Sequence, residues 1–165
     1  MTQKKTQLVT AHSIDTVSVY NTQRRFPIDA KAVEAIAREV VALEGRFCHE
    51  VALHFVGVQR ICSLHAQFFD DPSVTDCISF PIDSEEEGPY KFLGEVFVCP
   101  DTAWKYVKAH GGLLYEEITL YIVHGLLHLL GYDDIEEADV LQMREREHFH
   151  MENLKKQKLE LRQRE

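Results

Sequence analysis

The chain has 165 residues, 45% of them hydrophobic and 10% aromatic, with a formal net charge of -9 at pH 7. That is the size and apolar content of one ordinary folded domain, which excludes general disorder. The acidic balance opposes non-specific attraction to nucleic acid, which depends on Lys and Arg neutralising phosphates, so any RNA contact has to be local and salt-sensitive.

The opening residues, MTQKKTQLVTAHS, are polar and lack the apolar stretch of a signal peptide. The longest apolar run, Ile118 to Leu130, is interrupted by His124 and His128 and is too short to span a bilayer. The expectation is a soluble, cytoplasmic protein with no membrane partner. Cys48, Cys62, Cys77 and Cys99 form no CxxC pair. They read as buried reduced thiols rather than as a disulfide framework or a cysteine zinc site.

In chain order, Thr16 to Tyr20 (TVSVY) has the β-branched content of a strand. Asp29 is a candidate N-cap for a helix over 30–43, where Val33, Ile36, Ala37, Val40 and Val41 recur at helical spacing before Gly45. Glu50 to Val58 (EVALHFVGV) reads as a strand buried on both faces, and a short helix covers 59–69. Asp70 to Ser73 is a turn, Thr75 to Phe80 a strand ended by Pro81, and 83–90 an acidic, solvated hairpin loop. Leu93 to Cys99 is another strand. Asp101 is the expected N-cap of a helix reaching Ala109, with a break at Gly111-Gly112. A helix from about Leu113 to Leu130 is stopped by Gly131. A last helix starts after Asp134 and runs into a charged tail, about 155–165, expected to be solvated. With no repeat or long linker, 1–165 reads as a single α+β domain of roughly four strands covered by helices.

The chemistry concentrates in HGLLHLLGYDD, His124 to Asp134. Residues four apart on a helix share a face, so His124 and His128 can address one ion. The helix around them is apolar on every side and belongs in the interior, where two unpaired imidazoles would be costly. A metal removes that cost. Gly131 lets the chain turn back, and by spacing alone either Asp133 or Asp134 can supply a third ligand. Two histidines, one carboxylate and an open position describe a catalytic zinc site. Gly125 stands where an HExxH peptidase keeps its glutamate base, which disfavours that activity.

The same stretch resembles the HGxLHLxGYDH signature of the YbeY family of bacterial endoribonucleases. VTDCISFP (Val74 to Pro81) is similar to that family's PTDVLSFP, LGEVFV (Leu93 to Val98) to its LGDIxI, and Met143 and Glu147 match a Met and a Glu of its final helix. The resemblance implies an α+β fold with a mixed four- to five-stranded sheet. It also implies a single-strand-specific, metal-dependent endoribonuclease acting in ribosomal RNA maturation and ribosome quality control. Its expected partners are single-stranded RNA or rRNA and the small ribosomal subunit, and its cofactor one zinc ion per chain. Carried across, the metal ligands are His124, His128 and, in place of the family's third histidine, Asp134. A carboxylate lowers the charge of the site by one, so a bound water should be harder to deprotonate than with three imidazoles.

A second departure lies in Leu64 to Phe69, where Phe69 takes the place of the arginine in the family's LNxxYR. That removes a charged contact able to stabilise a phosphoryl transition state. His65, one helical turn earlier, is a partial substitute when protonated. Without a glutamate at position 125, Asp133 is the first candidate for proton acceptor, and its alternative role is to hydrogen-bond a ligand or cap the next helix. By analogy with the family, Asp76 and Ser79 line the substrate cleft. Arg60, Lys91 and Arg144 are candidate basic neighbours. His54 reads as a satisfied strand histidine, and His148 and His150 are two apart and face different ways. The competing reading is a ribosome assembly factor with structural zinc and little nuclease turnover, and a metallopeptidase ranks third.

Overall fold

The β-branched segments become strands and the amphipathic ones helices. In the computed structural model, which describes residues 13–82 and 88–163, β1 (Ile14–Asn21), β2 (Cys48–Phe55), β3 (Cys77–Pro81) and β4 (Phe92–Val98) form a sheet of order β1-β2-β4-β3. β2 runs parallel to both β1 and β4, and β3 pairs antiparallel with β4, making the sheet mixed. Five helices accompany it among the described residues: α1 (Ala30–Leu43), α2 (Val58–Phe69), α3 (Pro100–His110), α4 (Leu114–Leu129) and α5 (Glu137–Gln157). This is the expected α+β class with a four-stranded sheet. Most of the acidic segment expected as a hairpin loop, 83–87, lies outside the described residues.

The two faces of the sheet are covered unequally. α1 lies on β1, and α4 lies on β3 and β4 with α3 and α5 against it. The large core on that side joins Val51, Leu53 and Phe55 to Val40, Ile122 and Leu126. On the other face α2 covers only a small cluster, including Ile61, Leu64, Ile78 and Phe97. β2, between two paired strands, is fully buried at Val51, Leu53 and Phe55 on the large-core side, while on the other side Ala52 is buried and Glu50 and His54 stay partly exposed. No helix among the described residues is long and apolar enough to cross a membrane.

Two local expectations are corrected. Asp29 caps α1 as expected, its carboxylate accepting from the amides of Lys31 and Ala32. Asp101, in contrast, does not cap α3. Cys99 is the N-cap and Pro100 occupies the first turn, where its fixed φ suits the helix and its missing N–H costs nothing. Asp101 instead binds Arg25 at 2.7 Å. The tail is not simply solvated. α5 ends at Gln157 with Lys158 in the left-handed region, and the chain folds back so that Leu161 is only 2% exposed. The Leu161 amide donates to the Thr119 hydroxyl at 3.1 Å, and Leu159 packs on the core. Two leucines among the charges suffice to draw the segment onto α4.

Candidate metal centre

α4 is hydrophobic nearly all round, and its end is closed by a glycine turn. Gly131 has φ 103, its amide reaches the His128 carbonyl at 3.1 Å, and the Tyr132 amide reaches the Leu127 carbonyl at 3.0 Å. This paired 5→2 and 6→1 bonding is the Schellman arrangement, which satisfies the terminal carbonyls and reverses the chain. The reversal carries Asp134 back over the face that bears His124 and His128.

Three donor atoms converge there. His124 Nε2 and His128 Nε2 lie 3.0 Å apart, and Asp134 Oδ2 is 3.4 Å from each. The other ring nitrogens are committed: His124 Nδ1 to Glu147 Oε1 at 2.8 Å, His128 Nδ1 to the Tyr132 carbonyl at 3.0 Å. Carboxylate and carbonyl oxygens only accept, so both Nδ1 atoms carry the proton, and in the neutral rings both Nε2 lone pairs face the carboxylate. Three lone pairs this close repel one another unless a cation lies between them. A tetrahedral zinc with ligands at about 2.0–2.1 Å sets neighbouring donors about 3.3–3.4 Å apart, close to the observed spacings. The group can therefore hold a metal ion.

Gly125 explains why this helix has no glutamate between its histidines. A Cβ at that position would collide with Val96 Cγ1 of β4. The position faces the sheet, not the ion, and α4 lies flush on β4 because nothing projects there. Ser79 reinforces the contact, its hydroxyl donating to the Gly125 carbonyl at 2.8 Å.

Two cavities meet at His124. One, of about 290 Å³, is lined by His65, Phe69, Ser79, Pro81, His124 and His128 among others. The second, of about 480 Å³, is lined by Asp76, Glu117, Tyr121, His124, Asp134, Arg144 and Glu147 among others. Burial works to lower the His124 imidazole, but the Glu147 hydrogen bond and the charges of Glu147, Asp76 and Asp134 outweigh it and hold the ring above its ordinary value. Burial pushes the Glu117 carboxyl up, with Asp76 and Glu147 adding to it and the Tyr121 hydrogen bond opposing. Burial and the same acidic neighbourhood push the Cys77 thiol well up.

The sequence-derived candidates thus separate into groups. His124, His128 and Asp134 come together. His65 lines the first cavity, with Nδ1 donating to the Ser73 carbonyl at 2.8 Å and Nε2 lying 3.9 Å from Asp71. Asp76 lines the second and accepts from the Cys77 amide at 2.7 Å. Asp133 lies apart: its carboxylate accepts from the Asp134 amide at 2.8 Å and lines a depression with Glu44 and Arg46. Of the basic candidates, Arg144 reaches the second cavity. His54 is satisfied by Glu95 at 3.0 Å, while His148 is exposed and His150 buried on opposite sides of α5.

Sequence reasoning did not find the support behind the ligands. Glu44, at the end of α1, accepts from Tyr132 Oη at 2.8 Å, from Arg146 at 2.8 and 3.0 Å, and from His150 Nε2 at 2.6 Å. Tyr132 thereby joins this hub to His128. Burial raises the Glu44 carboxyl, but these bonds prevail and lower it, while burial lowers the His150 imidazole. His150 Nδ1 is buried and has no partner among the described residues, as expected of a neutral ring donating through Nε2. The signal available was the stripe Met143, Glu147, His150 and Leu154 along one face of α5.

Fold and site together define an α+β protein able to hold a metal ion where a buried helix ends on a mixed sheet. The solution structure of TM1509 from Thermotoga maritima shares this fold, with a TM-score of 0.60 at 24% identity over 84% of this chain and 89% of that one. The family profile described as Endoribonuclease YbeY matches residues 18–155. Endoribonuclease YbeY of Protochlamydia amoebophila is 50% identical over 87% of this chain and 95% of its own length. That of Chlamydia muridarum is 35% identical over 85% and 88%. The chain belongs to the YbeY endoribonuclease family.

Proposed function

We propose that this protein is a single-strand-specific endoribonuclease of the cytoplasm that matures ribosomal RNA and takes part in ribosome quality control, acting on small-subunit RNA with one zinc ion per chain. The observation that carries the reading is the convergence of His124 Nε2, His128 Nε2 and Asp134 Oδ2, with both Nδ1 protons already placed on other acceptors. Zinc bound there would supply a Lewis acid that polarises a phosphoryl oxygen and acidifies a water. The chain's own residues do the rest. Glu147 and the Tyr132 carbonyl hold the two imidazoles in the tautomer that presents Nε2. Asp134 subtracts one charge from the site. Asp133, bonded to the Asp134 amide, is better suited to holding that turn than to taking a proton. Asp76 and Glu117 share a cavity with His124 and Asp134 and are the better-placed acceptors. Ser79 holds β3 against α4 beside the substrate cavity, where the His65 Nδ1 proton is already given to the Ser73 carbonyl and only a protonated Nε2 would offer a phosphate a donor.

A second reading, an assembly factor with structural zinc, is favoured by Phe69 in place of an arginine and by the carboxylates of the second cavity. Purified protein should contain one zinc per chain and cut single-stranded RNA. Chelation and His128→Ala should each lower the rate by more than about a hundred-fold. Cleavage that persists unchanged in both overturns the metal mechanism. Retained zinc and small-subunit association without cleavage select the second reading.

A further inference from the structure

We propose that Phe69, backed by Phe68 and Phe80, is a seat on which an unpaired nucleobase stacks beside the phosphodiester to be cut. The inference rests on the endoribonuclease reading and names how the substrate is held.

Phe69 and Pro81 line the same cavity as His124 and His128, so a base lying on the ring sits in the cavity that the metal ligands face. Phe68 and Phe69 are 55% and 54% exposed, at the end of a helix whose Ile61 and Leu64 are buried. Phe69 on the cavity wall and Phe68 beside it belong to neither buried core cluster, and two adjacent open aromatic rings suit an apolar ligand.

The rings are held from behind and below. Phe80 lies 4.8 Å from Phe68 and 6.3 Å from Phe69, ring centre to ring centre, and itself abuts Phe97 at 5.7 Å. Phe97 stacks on His54 at 4.2 Å, and His54 on Tyr20 at 4.9 Å, so an aromatic row crosses the sheet from β3 to β1. The helix end is pinned as well. Asp70 adopts φ 53, the Asp71 amide reaches the His65 carbonyl at 3.3 Å, and Asp71 Oδ1 accepts from both the amide and hydroxyl of Ser73. A ring on so fixed a base loses little freedom when a ligand arrives.

The chemistry of the cavity selects a base over a phosphate. None of the described residues lining it is a lysine or an arginine, and Asp70 and Asp71 flank its aromatic rim. A π-face takes any base, provided that base is not already paired and stacked in a duplex. The seat therefore accounts for preference for single strands without base-specific hydrogen bonds.

The test measures binding of a fluorescent single-stranded oligoribonucleotide, its abasic analogue of equal length and a duplex, using full-length His128→Ala protein so that cleavage does not intervene. Phe69→Ala should weaken binding of the single strand by about five- to a hundred-fold. Phe69→Trp should restore it, and neither change should alter affinity for the abasic strand. An unchanged affinity in Phe69→Ala, or an equal loss for the abasic strand, overturns the seat while leaving the endoribonuclease reading intact. Failure of the parent protein to bind or cut single-stranded RNA overturns both. Unchanged RNA affinity together with altered sedimentation of the Phe68→Ala/Phe69→Ala protein assigns the patch to contact between copies, and also overturns the seat.

Discussion

The two faces of the sheet serve the site in opposite ways. On the closed face, α1, α4 and α5 bury a continuous core, and every ligand-supporting contact runs through it: Glu147 to His124, Tyr132 to His128, Glu44 to Tyr132. On the open face α2 covers a small cluster and leaves Phe68, Phe69 and Tyr20 exposed. The difference teaches that the candidate metal centre and the proposed substrate seat are built from separate materials. One uses buried, multiply bonded groups, the other an exposed aromatic rim outside the core.

The sharpest way to break this division is at Glu44. Its removal leaves Arg146, His150 and Tyr132 without their shared acceptor in a nearly closed site, and Glu44→Ala should cost about 3 kcal/mol of stability by denaturant titration. If that variant is as stable as the parent, the closed face is not the support described. A smaller effect is expected at Glu147. Glu147→Gln keeps an acceptor for His124 Nδ1 but loses the charge, so metal affinity should fall about ten-fold by competition with a chromophoric chelator, with little change in melting temperature.

The smallest effect is on pH dependence. The Glu44 carboxyl is lowered in the folded protein, so its contribution is present above the ordinary carboxyl value of 4.5 and is lost as pH falls through the lowered one. The His150 imidazole is also lowered, so the unfolded chain takes up a proton first once pH drops below about 6.5, and stability declines from there. Both directions predict a melting temperature that falls as pH drops below about 6.5 and falls further below 4.5. His150→Gln, which keeps a donor toward Glu44 but cannot titrate, should flatten the upper part of that fall. An identical profile in the variant removes His150 from the account.

What was legible in the sequence follows from range. His124, His128, Gly131 and Asp134 lie within eleven consecutive residues, and helix periodicity plus a glycine stop are enough to bring the first two together and turn the chain back. Spacing could not separate Asp133 from Asp134; the geometry of the glycine turn does, sending one carboxylate to its neighbour's amide and the other to the histidines. The Glu44 hub was not legible, because its partners come from 88 to 106 positions away. Nor was the burial of Leu161, hidden in a run dominated by charge. Phe69 could be seen to depart from a family pattern, but its exposure at a cavity mouth depends on how α2 meets β3.

The missing side chain at position 125 has one more consequence. Because α4 touches β4 with no clearance at Gly125, a larger residue could be admitted only if the Val96 side chain gave way or the helix lifted away. His124 and His128 ride on that helix and would move with any lift. Helix-to-sheet distance and ligand placement are thus a single inherited trait. A lineage, or an engineer, seeking to give this helix a base of its own would have to rebuild the floor beneath it first.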